Sequence, residues 1–148
     1  MKWAIATPAR VEYISDNVRK QDELEVHYSH GVTGKEAVIG SWKESEICHC
    51  IDGDDGLPVG ICGVNESLIW LLGTDKLFAT SSHRRQFIRG GRKWVNSLVE
   101  DGNDFLHNWA MYSNKTTLRW LNHLGFTIDN PAPMGASAQL FSHFWRKA

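Results

Sequence analysis

Four groupings of residues in this 148-residue chain have types and spacings that could do chemistry. Cys48, His49, Cys50 and Cys62 are donors of the kind that hold zinc. Alternation along a strand, however, puts Cys48 and Cys50 on one face and His49 on the other, and no fourth ligand has a suitable spacing. Sheet-face or core cysteines and no metal are therefore expected. Asp52, Asp54 and Asp55, with Gly53 and Gly56, offer carboxylates to calcium but lack the later glutamate of such a loop, so a hairpin turn is expected. Arg84, Arg85, Arg89, Arg92 and Lys93 form the one concentrated charge feature. They suit a phosphate ligand, nucleic acid or an acidic protein partner, or form a solvated helix face. Serines, histidines and aspartates are all present, but no nucleophile motif joins them into a hydrolase.

Composition narrows what these residues can serve. Sixteen Lys and Arg against 17 Asp and Glu leave a formal charge of −1. That balance, without exposed aromatics interleaved among the cations, argues against a dedicated nucleic-acid binder. No apolar run approaches the ~20 residues of a membrane span. The opening residues, broken by Pro8 and Arg10, are too short for a secretory signal. Three cysteines make no disulfide framework and point to a reducing compartment. Seven tryptophans favour a firmly packed core or a protein-facing surface. The length suits one domain over residues 1–148.

The elements that must position these side chains can be read in order. Trp3–Ala6 is a first strand, and Thr7-Pro8 starts a helix to about Arg19, with Val11, Ile14 and Val18 on one face. Gln21–His30 is ambiguous. Thr33 and Glu36 stand in capping-box register for a helix to about Trp42. Residues 46–51, 58–64 and 67–72 read as three consecutive antiparallel strands, the last apolar enough to be buried on both faces. After a loop from Asp75, a helix capped by Ser81 or Ser82 carries Phe87, Gly91, Trp94, Val95 and Leu98 at helical spacings. Gly90 and Gly91 inside it cost ~1 kcal/mol each against alanine and need a reason, such as close approach to the sheet or to a ligand. Residues 104–111 form a strand, and 116–124 a short helix closed by Gly125. Residues 126–128 and 139–145 finish as strands, with Pro131 and Pro133 in the connection. The order is β-α-α-β-β-β-α-β-α-β-β.

That order, with Asn114-Lys115-Thr116-Thr117-Leu118-Arg119-Trp120-Leu121-Asn122-His123-Leu124-Gly125-Phe126, resembles the GNAT N-acetyltransferase superfamily. In that superfamily an asparagine closes a strand before one helix and a Leu-Gly-Phe exit. The resemblance covers essentially the whole chain. It implies a three-layer α/β (α+β) fold, a mixed, mostly antiparallel sheet of six to seven strands with helices on both faces. Within the superfamily, the chain looks like the GNAT-like internal core (virion assembly) proteins of short-tailed phages. The likeness lies in the Trp-containing central strand, the long loop, the basic Arg84-Arg85-Gln86-Phe87 helix start, and Arg119 and Trp120 after Asn114. It implies phage core or portal proteins as partners, and the host cytoplasm or the virion as location.

The same resemblance sets three tests. An acetyltransferase of this fold holds the cofactor diphosphate on bare backbone in an Arg/Gln-x-x-Gly-x-Gly/Ala loop at a helix N-terminus. Here Arg84 and Arg85 align with the arginines, but Phe87 and Arg89 fall where glycines belong, and Gly90 and Gly91 come about a turn late. The general acid, a tyrosine seven residues after the asparagine, is replaced by Leu121; Tyr112 is the nearest substitute. A general base near the central strand would be Glu66, otherwise a turn residue. Degenerate cofactor and acid positions favour a non-catalytic protein that acts through protein contacts, with no cofactor expected. If acetyl-CoA does bind, Leu71, Leu72, Ser82, Arg84, Arg85 and Asn114 would hold it, with or without turnover, and Glu66 and Tyr112 are the catalytic candidates.

Overall fold

The computed structural model describes residues 1–148. A single sheet runs through it, with helices on both faces. In chain order the elements are β1 (Lys2–Ile5), α1 (Pro8–Asp16), α2 (Lys20–His30), α3 (Gly34–Glu44), β2 (Ile47–Asp52), β3 (Pro58–Asn65) and β4 (Leu68–Gly73). Then follow α4 (Ser81–Glu100), β5 (Phe105–Met111), α5 (Lys115–His123), β6 (Thr127–Ile128), β7 (Ala132–Met134) and β8 (Gln139–Lys147). The strand order is β1-β2-β3-β4-β5-β8-β6, with β7 also on β8. Eight strands stand where six or seven were expected. The extra one is β7, whose Pro133 sits opposite Leu140 on an edge, where a missing N–H costs no ladder bond.

Local chemistry accounts for most helix starts. Thr7 accepts from the Arg10 N–H at 3.3 Å with proline in the first turn, and Thr33 and Glu36 complete the capping box at 3.1 and 3.2 Å. Helix α4 is capped one residue before the two serines, by Thr80, whose Oγ1 accepts from the His83 N–H at 3.0 Å. Asn114 caps α5, accepting from Thr117. The ambiguous segment after Arg19 is a full helix, α2, ended by Gly31 at φ +67°.

The strands alternate between two cores. On one face, Val11 and Ile14 of α1 and Val38 of α3 pack on Cys50, Ile61 and Leu72. On the other, Phe87, Val95 and Leu98 of α4 and Trp120 of α5 pack on Val64, Ile69, Leu106 and Phe144. Gly90 and Gly91 find their reason here. A Cβ on Gly90 would run into the Trp3 ring, and one on Gly91 would crowd Leu124, so the pair seats α4 on its neighbours.

All neighbouring strands are antiparallel except β4 and β5, which are parallel and joined at one register point, Leu68 opposite His107. Two bonds hold that end, from His107 N–H to the Ser67 carbonyl at 3.0 Å and from Asn108 Nδ2 to the Ile69 carbonyl at 2.8 Å. Beyond it the strands part, leaving a cleft between Leu71–Gly73 and Ala110–Met111.

Candidate functional site

Two carboxylates of α2 reach into the open end of this cleft. Asp22, buried, accepts the Gly73 N–H of β4 at 2.8 Å through Oδ2. Its Oδ1 lies 3.0 Å from Arg19 Nε, an ion pair whose angle falls short of a hydrogen bond. One turn on, Glu25 Oε1 accepts the Met111 N–H of β5 at 3.0 Å and Asn114 Nδ2 at 3.2 Å. The Arg19 N–H also donates to the Gly73 carbonyl at 2.8 Å. Main-chain groups that the parted strands would leave bare are thus met by α2. Burial pushes the Glu25 carboxyl up to about 7, helped by the neighbouring Asp22 charge and opposed by its two hydrogen bonds. Burial raises Asp22 as well, outweighing Arg19. Neither residue was singled out from sequence. The one available signal was the pair of acids three apart in a segment with no apolar stripe.

Behind them lies a cavity of about 570 Å³. Of the residues lining it, the exposed ones are His30, Glu36, Glu44, Leu68 and Trp109, all on α2, α3 and the β4–β5 side. Its lining from α4 and α5 is buried or half-buried, so the cavity opens toward α2 and α3 and is closed toward α4 and α5. What closes it is aromatic. Phe78, from the loop before α4, stacks on Trp120 with ring centres 4.6 Å apart and meets Phe87 edge-on at 5.0 Å. Arg19 lies over the other side of Phe78, 5.0 Å from its centre. Phe87 is buried in this cluster, while Arg89 points to solvent and blocks nothing.

The residues nominated from sequence scatter around this site. Leu71 and Leu72 line the cavity. Asn114 is buried beside it, spent on the α5 cap and Glu25. Ser82, Arg84 and Arg85 do not line it. Ser82 accepts from Gln86 at 3.0 Å, and Arg84 donates to the Phe78 carbonyl at 3.0 Å. Gln86 in turn bonds Asp54, whose carboxyl it holds down together with the N-terminal ammonium, so a carboxylate already stands beside the first turn of α4. Glu66 is an exposed turn residue at φ +57°, beyond the paired end of β4 and outside the cavity lining. Tyr112 is exposed, with Lys115 Nζ 3.0 Å from its ring centre, and also lies outside the lining. Leu121 half-lines the cavity wall.

The remaining candidates have structural partners. Cys50 faces α1 and α3 while Cys62 faces the other core, and no three metal-ligating side chains converge. Burial pushes the Cys48 thiol up to about 11 and Cys50 to about 12, so neither is a ready nucleophile. Asp52 pairs with Arg10 at 2.8 Å, and Asp55 closes the hairpin on the Leu57 N–H at 3.0 Å. The five cations of α4 are all exposed, on its solvent face.

Acetyltransferases are among the solved structures with this arrangement of strands and helices. Spermidine N-acetyltransferase from Vibrio cholerae, in complex with CoA and spermine, superposes with a TM-score of 0.68 over 99% of this chain and 94% of that one, at 8% identity. This is the GNAT fold. A GNAT-fold acetyltransferase from Salmonella typhimurium, which modifies the N-terminal serine of a 50S ribosomal subunit protein, gives 0.66 at 11% identity over 99% and 94% of the two chains. A Bacillus subtilis acetyltransferase in complex with CoA gives 0.61 at 11% identity over 99% and 97%. No protein-family model and no curated protein sequence matches the chain. At such identities the shared property is the GNAT fold itself, and chemistry has to be argued from the site.

A cofactor with its diphosphate at the start of α4 and its thioester between β4 and β5 must pass from one to the other. The cavity reaches α4 at Phe87, Gly91, Trp94 and Val95 but touches no residue of its first turn, and the stacked Phe78 and Trp120 stand in its wall.

Proposed function

We propose that this protein is a GNAT-fold protein without acetyl transfer, which acts through protein contacts in the assembly of a phage particle. The observation that carries the reading is that the cavity does not reach the first turn of α4. Phe78 and Trp120, stacked, stand in its wall, and Asp22 and Glu25 hold the strand N–H groups of the cleft. A diphosphate would also meet Asp54 instead of bare backbone beside Ser82 and Gln86. Phage assembly, with core or portal proteins as partners, rests on the resemblance of the Asn114–Gly125 segment and the basic helix start. The exposed surface of Leu68, Trp109 and Phe105 is in keeping with it. Titrating the intact chain with acetyl-CoA in a calorimeter tests the reading. No heat of binding is expected at concentrations that saturate GNAT enzymes. Binding without release of thiol in the presence of amines would make the protein a CoA carrier, and binding with release would make it an enzyme; either overturns the proposal.

One observation favours the second reading, an acetyltransferase for a protein or small amine. Glu25, poised near neutrality at the edge of a cavity, has the proton affinity of a general base for an ammonium group. In that case Glu25→Gln removes turnover.

A further inference from the structure

The cavity has a mouth, a charge and an unmet hydrogen bond. Among its lining side chains, Glu25, Glu36 and Glu44 have no cationic partner, and the only Lys or Arg there, Arg19, is taken by Asp22. The walls are otherwise largely apolar. Deep in it, the Trp120 indole N–H is buried (7% exposed), with no acceptor. An orphaned buried donor is costly unless something supplies an oxygen. Outside the mouth, Leu68 and Trp109 are 37% and 42% exposed, and the same face of β5 continues through His107 to Phe105, 36% exposed. The α1–α3 layer does not cover this ridge.

From these we infer that the cavity between α2, α3 and the parted strands is a docking site for a segment of a partner protein that carries bulky apolar side chains next to lysine or arginine. The inference rests on the reading that the protein works through protein contacts. Apolar side chains would fill the cavity, whose ~570 Å³ suits an anchor of that size. A backbone carbonyl would accept from Trp120, and the cations would lie against Glu36 and Glu44 at the mouth. The ridge of Leu68, Trp109 and Phe105 would then be covered by the rest of the segment. A molecule small enough to sit wholly inside would leave that ridge bare, which is why a peptide is favoured over a small amine.

Gly40 makes the test clean. It lies on α3, lines the cavity, and has nothing within 4 Å of where a Cβ would stand, so Gly40→Phe plugs the site without disturbing the core. The probe is a fluorescein-labelled eight-residue peptide with leucine and phenylalanine set between lysines. One control replaces the lysines by glutamates, and another replaces the apolar pair by serines. Anisotropy against the intact chain should show the basic apolar peptide binding about tenfold or more tighter than either control. Gly40→Phe should abolish binding and Glu44→Gln weaken it, while Arg85→Ala leaves it unchanged, with circular dichroism showing each variant folded. Equal binding of the acidic peptide, binding that survives Gly40→Phe, or no binding at all overturns the inference. A free lysine-like amine that binds as tightly as the peptide also overturns it. The acetyl-CoA titration run beside it separates the two readings. Peptide failure with acetyl-CoA silent sinks the docking site alone, whereas acetyl-CoA binding sinks the proposed function whatever the peptide does.

Discussion

A carboxylate held in a half-dry cleft beside a second carboxylate keeps its proton longer, and Glu25 is held in that way by the Met111 N–H, Asn114 and the nearness of Asp22. Its folded value of about 7 lies above the ordinary 4.5, so the folded state binds the proton more tightly than the unfolded chain does. Glu25 therefore contributes stability that is fully present below about 4.5 and is lost as pH rises through about 7. Glu25→Gln keeps the acceptor for both bonds and removes the titration. Thermal melts should fall from pH 5 to 8 in the parent chain and stay flatter across that range in the variant; parallel curves would contradict the assignment. Gly90 shows the same dependence on individual atoms. Gly90→Ala puts a methyl group into the Trp3 ring and should cost about 1–3 kcal/mol in denaturant unfolding, although alanine is the better helix former. The sequence marks Gly90 as unusual, but its partner is 87 positions away and becomes visible only once β1 is docked.

Elements with strong local signals were legible. Thr7-Pro8 and the Thr33–Glu36 box start helices where the hydroxyls and the fixed proline φ require, and the three-strand meander follows from its turn residues. Helix α2 was not legible, for a physical reason. Apart from Val26, the side chains it turns toward the sheet include the acids Asp22 and Glu25, so apolar periodicity, the usual helix signal, is missing where the helix does its work. The site shared that fate, since the residues that close the cleft are acids and an ordinary phenylalanine, not members of a motif. Strand β7 is three residues around a proline, below what periodicity can resolve. The loop before α4 gives the sharpest element-level expectation. Phe78→Ala removes a ring stacked between Trp120 and Arg19 and should destabilise the fold by roughly 3 kcal/mol. Arg85→Ala, on the exposed face of the adjoining helix, should stay within about 0.5 kcal/mol of the parent. Calorimetric unfolding of the two variants distinguishes them, and similar values would mean that the aromatic closure is loose.

Across the whole molecule, the GNAT fold keeps its parted strands, with Phe78 and Trp120 stacked in the wall of the cavity and Asp22 and Glu25 on the free strand amides. No helix is long and apolar enough to cross a membrane. The face of β5 and β8 left open by α1–α3 is aromatic and histidine-rich, with His107 Nδ1 2.8 Å from His143 Nε2 and Trp109 against the same imidazole. That surface adjoins the cavity mouth, where the proposed partner segment would lie. Amide NMR of the labelled chain during titration with CoA reads both ends of the cofactor path at once. Loss of the cofactor site predicts that the Gly73 and Met111 amides, held by Asp22 and Glu25, and the Ser81–Arg84 amides of the first turn of α4 stay in place to millimolar CoA. Saturable shifts at both ends of that path would contradict it.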